Sequence, residues 1–350
     1  MTLVHMDGFE QYADLDSLAI HYGTFPAGMV AVSDDTPFGR GRSLQASSGT
    51  AYNGLIKSFP PVPYGGVVGQ AAFVKMTAAP TGTNARLLFG AFDGAAMQFG
   101  LYVNPSGHLA LIRSTGSPTV YQTAKALPLG QWAHVEFRLR VHNSEGMAEV
   151  RVNGETWALE ENIDTHDVSG SRPFDSVRCL RAHNNNQTPG AFLLDSWIVW
   201  TGDGTHNNDW IGPVEVLTLF PDADVSVTGW TANAGTPHEA VDDASADGDA
   251  TYIASATPTD LAVFGLGDLP FAPDRILGVG TYTVARADDI GPRAITHGVR
   301  SNGVDSESPE TPLGLNYAGY THIVERDPDG GGAWTPAAVD ALNSLVKVAS

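Results

Sequence analysis

Polar and apolar residues alternate strictly from Trp132 to Val141, and this stretch organises the rest of the chain. Ala133, Val135, Phe137, Leu139 and Val141 fall on one side; Trp132, His134, Glu136, Arg138 and Arg140 fall on the other. A period of two belongs to a strand with one buried face, because a helix would scatter both sets. His142-Asn143-Ser144-Glu145-Gly146 has turn composition, and Ala148, Val150 and Val152 then resume the alternation. Asn153-Gly154 predicts a two-residue type I′ hairpin, whose central positions both need positive φ. Glu155–Leu159 completes an antiparallel meander, which must lay its apolar face on a second sheet. The register puts Val135, Phe137, Leu139, Val150 and Val152 in that core.

Similar short apolar runs recur at Val67–Met76, Ala85–Phe92, Met97–Val103, His108–Ser114, Phe174–Arg181 and Phe192–Trp200, with turn residues between them. That spacing predicts a sandwich of many strands. Thr201–Asn208 is polar and without periodicity, so a boundary is placed there, giving domains 1–204 and 205–350. In the second, strands are expected at 214–219, 251–255, 261–265, 275–286, 293–300 and 319–326. Thr335-Pro336 opens a helix of roughly two to three turns with Val339, Leu342 and Leu345 on one face. No helix is expected before it. The strands Phe192–Trp200, 275–286 and 344–350 carry little charge, and they are expected to be edges available to a neighbouring chain.

Composition narrows the classes. The 350 residues carry a net charge of −20, which argues against nucleic acid or an anionic membrane as partner. The 39 Gly and 22 Pro suit a chain of short strands and turns. Cys179 stands alone, so no intrachain disulfide and no thiolate metal cluster can form; it reads as a structural thiol in a strand. No basic segment followed by an apolar run opens the sequence, so no signal peptide is expected, and no stretch has the apolar length for membrane insertion. Asn186-Gln187-Thr188 matches a glycosylation sequon, to which no role is given.

Two resemblances follow from particular residues. The Trp132-Ala133-His134-Val135-Glu136 strand, the polar turn and the Val150-Arg151-Val152-Asn153-Gly154 strand resemble the core of concanavalin-A-like (laminin-G-like) jelly rolls. That resemblance implies a jelly-roll β-sandwich and no particular activity. Asn208-Asp209-Trp210-Ile211-Gly212, Phe220-Pro221-Asp222-Ala223-Asp224, His238-Glu239-Ala240-Val241-Asp242-Asp243 and the ending from Asp327 through Thr335 are similar to virion structural proteins of tailed bacteriophages. In that family a jelly roll precedes a second β-rich domain. The expected fold is therefore mostly β: an N-terminal jelly-roll β-sandwich, then a smaller β-rich domain with one short C-terminal helix. The resemblance implies a structural or adsorption component of the particle, made in the bacterial cytoplasm and sited at the tail tip or in a tail fibre. Its partners would be other virion proteins in a symmetric oligomer, and a host surface glycan. The alternatives are a lectin-like carbohydrate-binding module and a head-attached decoration or fibre protein.

Candidate chemistry is sparse. The row Trp132, His134, Glu136, Arg138 and Arg140 has the aromatic and bidentate groups of a sugar-facing surface, although an ordinary solvated or domain-packed face is the favoured reading. The loop Asp243-x-Ser245-x-Asp247-Gly248-Asp249 superficially resembles a calcium loop but has Ala254 where the bidentate acid would stand, so Asp243, Asp247 and Asp249 are weak metal candidates only. No Glu-x-Asp-x-x-Glu strand, Gly-x-Ser-x-Gly elbow or His-Glu-x-x-His helix occurs. The expectation is a chain with no cofactor, no metal and no enzymatic activity.

Overall fold

A computed structural model describes residues 3–25, 30–47, 54–81, 86–114, 119–167, 173–182 and 190–349; the sequon at Asn186 lies outside them. The chain is almost entirely antiparallel β. It divides into two compact units, Met1–Glu10 with Thr24–Leu217, and Gln11–Gly23 with Thr218–Ser350. The divide therefore falls after Leu217 and not after residue 204, and a short N-terminal segment belongs with the second unit.

The first unit is a sandwich. Its larger sheet runs Glu155–Ile163, Gly146–Val152, Trp132–Arg140, Val67–Ala78, Ala191–Thr201, Ser43–Ala46 and Val30–Ser33, with Leu3–Asp7 also paired to Ala191–Thr201. The smaller runs Leu55–Val62, Phe174–Ala182, Arg86–Asp93, Ala96–Val103, His108–Arg113 and Thr119–Ala126. The hairpin forms as the alternation dictates: Val135 faces Val152, Phe137 faces Val150 and Leu139 faces Ala148. Asn153 and Gly154 take φ of 49° and 80°, the two positive values that a type I′ turn requires. Val135, Phe137, Leu139, Val150 and Val152 are all buried.

Several local expectations are corrected. Ala191–Thr201 does not alternate throughout, because Ser196 sits at φ 52° and the register slips between Asp195 and Ile198. It is also an interior strand, held by Val67–Ala78 on one side and by Ser43–Ala46 and Leu3–Asp7 on the other, so it offers no edge. Residues 214–219 form no strand. A helix, Leu15–Tyr22, precedes the one expected; Asp14 caps it, accepting from the Ser17 amide at 2.9 Å while the Ser17 hydroxyl accepts from the Asp14 amide.

The second unit is built on a sheet ordered Pro221–Thr228, Leu261–Leu266, Asn343–Val348, Ala294–Ser301 and Val304–Glu307, with Thr311–Pro312 also on Ala294–Ser301. Val279–Ala285 and Ala318–Val324 make a separate ribbon, and Thr231–Ala232 pairs with Ile253–Ala254. The C-terminal helix is only Pro336–Asp340, started by the Thr335 cap and by Pro336 in the first turn. Leu345 lies beyond it in Asn343–Val348, an interior strand and not the expected free edge. Val299, Trp334, Val339 and Leu342 form a buried cluster, and the Trp334 indole donates to the Val324 carbonyl at 2.8 Å.

Candidate functional site

The row on Trp132–Arg140 is not one open surface. Trp132 is half-buried and donates through its indole to Asp35 at 3.1 Å. His134 and Glu136 are buried at 3% and 1% exposure, although they point away from the sandwich core. His134 packs against the Phe73 ring at 5.0 Å, and the extended segment 209–216 covers Glu136. Glu136 Oε1 accepts from the amides of Ile211 and Gly212 at 3.1 and 3.0 Å. Arg138 pairs with Asp209 and, at 3.3 Å, with Glu149. The Trp210 ring carries two guanidinium groups, Arg151 at 4.1 Å and Arg138 at 4.9 Å. Val216 donates to the Ser196 hydroxyl at 3.0 Å, and Arg40 pairs with Glu215. Gly8 permits this close run, since a Cβ there would lie 2.2 Å from the Val216 carbonyl oxygen. Arg140, at the end of the row, is exposed.

Burial sets the charge states on this side of the sheet. Desolvation pulls His134 down to about 4, so its imidazole is neutral at pH 7. It raises Glu136 despite the two amide hydrogen bonds and drives Asp195 up to about 7 despite the donors of Ser196. His134 Nδ1 has no hydrogen-bond partner; Glu136 Oε2 stands 3.9 Å away. The layer is a covered polar seam.

The acidic loop spends its carboxylates locally. Asp243 and Asp247 each lie 2.8 Å from the Thr251 hydroxyl. Asp249 accepts from Tyr317 at 2.8 Å and Arg286 at 2.9 Å, which hold it below the usual carboxylate range. Among the described residues no group of three or more His, Cys, Asp or Glu could hold a metal ion.

The structure brings together residues that the sequence left in separate turns. Antiparallel pairing of Trp132–Arg140 with Val67–Ala78 sets Arg140 opposite Val67, so the turns at 62–66 and 141–145 meet at one end of the larger sheet. With Gly202 and Asp203 they enclose a cleft of about 450 Å³ lined by Tyr64, Arg140, His142, Glu145 and Asp203 among others. The Tyr64 and His142 rings lie 4.6 Å apart, and the Tyr64 hydroxyl accepts from the Asn143 amide at 2.8 Å. Only the strand partnership could have revealed this grouping, since each residue alone looks like turn composition.

No family model and no curated protein matches the sequence. Similar solved structures include a cellulose-induced protein, 14% identical, with TM-score 0.42 over 60% of this chain and 100% of that one. They also include an alginate lyase in complex with alginate tetrasaccharide, 12% identical, TM-score 0.39 over 55% and 95%. A third is the endo-β-1,4-glucuronan lyase of the fungus Trichoderma reesei, 13% identical, TM-score 0.36 over 50% and 88%. These likenesses correct one expectation: polysaccharide lyases stand among them, against the expected absence of enzymatic activity. The likeness is one of fold alone and assigns no reaction.

Proposed function

We propose that this chain is a component of a tailed-bacteriophage particle, sited at the tail tip or in a tail fibre, that takes part in adsorption to the host. One observation carries this conclusion: the residues that bear the phage resemblance have framework roles here. Asp209-Trp210-Ile211-Gly212 is the docked part of the strap. Pro221-Asp222-Ala223-Asp224 opens an edge strand, and Trp334-Thr335 fills the second unit's cluster and caps its last helix. Likeness in framework residues speaks for a shared building plan, and in that family the plan goes with a place in the particle. The second unit also exposes Val225, Tyr252, Phe271, Ile290, Val304 and Leu315, apolar side chains available to other virion proteins. A part held in a symmetric particle needs on the order of 1,000 Å² or more of such contact. The cleft beside Tyr64 and His142 favours a second reading, a lectin-like module acting in its own right.

The test is made on particles purified on a density gradient from the source lysate. Mass spectrometry and immunogold labelling should find the chain on the tail, and the purified chain should compete with particles for adsorption to host cells. Absence of the chain from purified particles would reject the proposal.

A further inference from the structure

The cleft at the end of the larger sheet holds polar groups with capacity to spare. His142 Nδ1 accepts from the amides of Ser144 and Glu145 at 3.1 and 2.8 Å, so the neutral ring carries its proton on Nε2 as a donor. The Tyr64 hydroxyl accepts from Asn143 and keeps its own hydrogen to give. His166 does not line the cleft: it lies edge-on to Tyr64 at 5.6 Å, is 2% exposed, and neither of its ring nitrogens has a hydrogen-bond partner. Buried polar groups left unsatisfied are uncommon in a packed fold and call for a reason beyond packing.

Charge decides the class of ligand. Glu145 and Asp203, the latter accepting from the Thr201 hydroxyl, line the cleft with Arg140, so a phosphate, sulfate or uronate would meet two carboxylates against one guanidinium. A cation would meet that guanidinium with only two carboxylates to hold it. A lining that mixes donors and acceptors with Pro63 and Tyr64 suits the hydroxyls and the C–H face of a sugar. A volume of about 450 Å³ lies within the roughly 300–1,000 Å³ of small-ligand sites. We infer that this cleft binds a neutral sugar residue of a glycan, with Arg140 and Glu145 gripping its hydroxyls. The inference rests on the adsorption proposal, for which it names the site and the ligand class.

The experiment uses the full chain, with Arg140→Ala, Glu145→Ala and the double variant. Both side chains are exposed, and equal melting temperatures serve as the control for folding. A printed array of neutral, uronate-bearing and phosphate-bearing glycans selects a probe, and ligand-observed NMR titrates the best neutral oligosaccharide. Neutral glycans should bind, and each single variant should weaken binding roughly tenfold or more, the loss of one hydrogen bond to a charged group. Binding confined to anionic glycans, no neutral binding at millimolar concentration, or binding untouched by the double variant would each overturn the inference. A silent array from a chain that is present in purified particles removes the site and leaves the virion proposal standing. Binding by a chain absent from particles does the reverse.

Discussion

Asp195→Asn should change how the stability of the first unit depends on pH. Asp195 is 3% exposed, its carboxyl raised from an ordinary 3.8 to about 7, chiefly by burial. The sign runs opposite to that of a salt-bridged carboxylate. Between pH 4 and 7 the folded chain keeps the proton and the unfolded chain has released it, so stability falls as pH rises through that window. The gap between 3.8 and about 7 corresponds to roughly 4 kcal/mol, fully felt above pH 7. Asparagine keeps an oxygen to accept from the Ser196 hydroxyl, which is 3.0 Å away in the wild type, but carries no charge to desolvate. The assay is urea denaturation followed by tryptophan fluorescence at intervals from pH 5 to 8, on both proteins. Other titrating groups cancel in the difference. The stability of the variant relative to wild type should rise by about 2–3 kcal/mol across that range, nearly all of it below pH 7.5. A constant difference, or one that shrinks with pH, would show that Asp195 is not held protonated in the fold.

Three further outcomes are expected. Phe137→Ala should destabilise the first unit by about 3–5 kcal/mol in denaturant melts, since Phe137 is buried at the centre of the core strand. His297 is held at about 4 by burial, with its Nδ1 hydrogen-bonded to Thr281 and Thr283; folded it stays neutral where unfolded it protonates. Stability of the second unit should therefore fall as pH drops from about 6.5 toward 4, by up to roughly 3 kcal/mol, and the difference between wild type and His297→Gln should follow that slope. Glu136→Ala leaves the Ile211 and Gly212 amides without their acceptor, whereas Glu136→Gln retains one; hydrogen exchange at those two amides should speed markedly in the first variant and much less in the second.

The strand framework was legible because its signals are local. Strict alternation in Trp132–Arg140 fixes which side is buried, and Asn153-Gly154 fixes the turn, so register and core follow without knowledge of the partner sheet. The first helix was legible too, though unread: Asp14 and Ser17 form its cap, and Leu15, Leu18, Ala19 and Tyr22 recur at helical spacing. Leu345 misled because Val339, Leu342 and Leu345 fit one helix face. The Asp340 carboxylate accepts the Leu269 amide at 2.9 Å where the helix stops, and the next residues join the sheet through long-range pairing that no local pattern announces.

The polar side of Trp132–Arg140 shows why the rest was hidden. Alternation distinguishes a side that must be dry from a side that can tolerate water, and it does not say that the second side meets water. Here the sheet's outer side receives a strap rich in backbone groups, and backbone amides need acceptors when buried. Glu136 supplies one to Ile211 and Gly212, the Ser196 hydroxyl supplies one to Val216, and Arg138 and Arg151 supply a cationic bed for Trp210. The charged residues that resemble a ligand-facing row are thus what a docked segment, buried at Ile211, demands of the strand beneath it. The cleft inferred to take a sugar begins where the same strand runs out from under the strap, at exposed Arg140 and the His142 turn beyond it. Along one strand, the change from residues satisfied by the chain's own backbone to residues left with free donors marks where the framework ends and a site can begin.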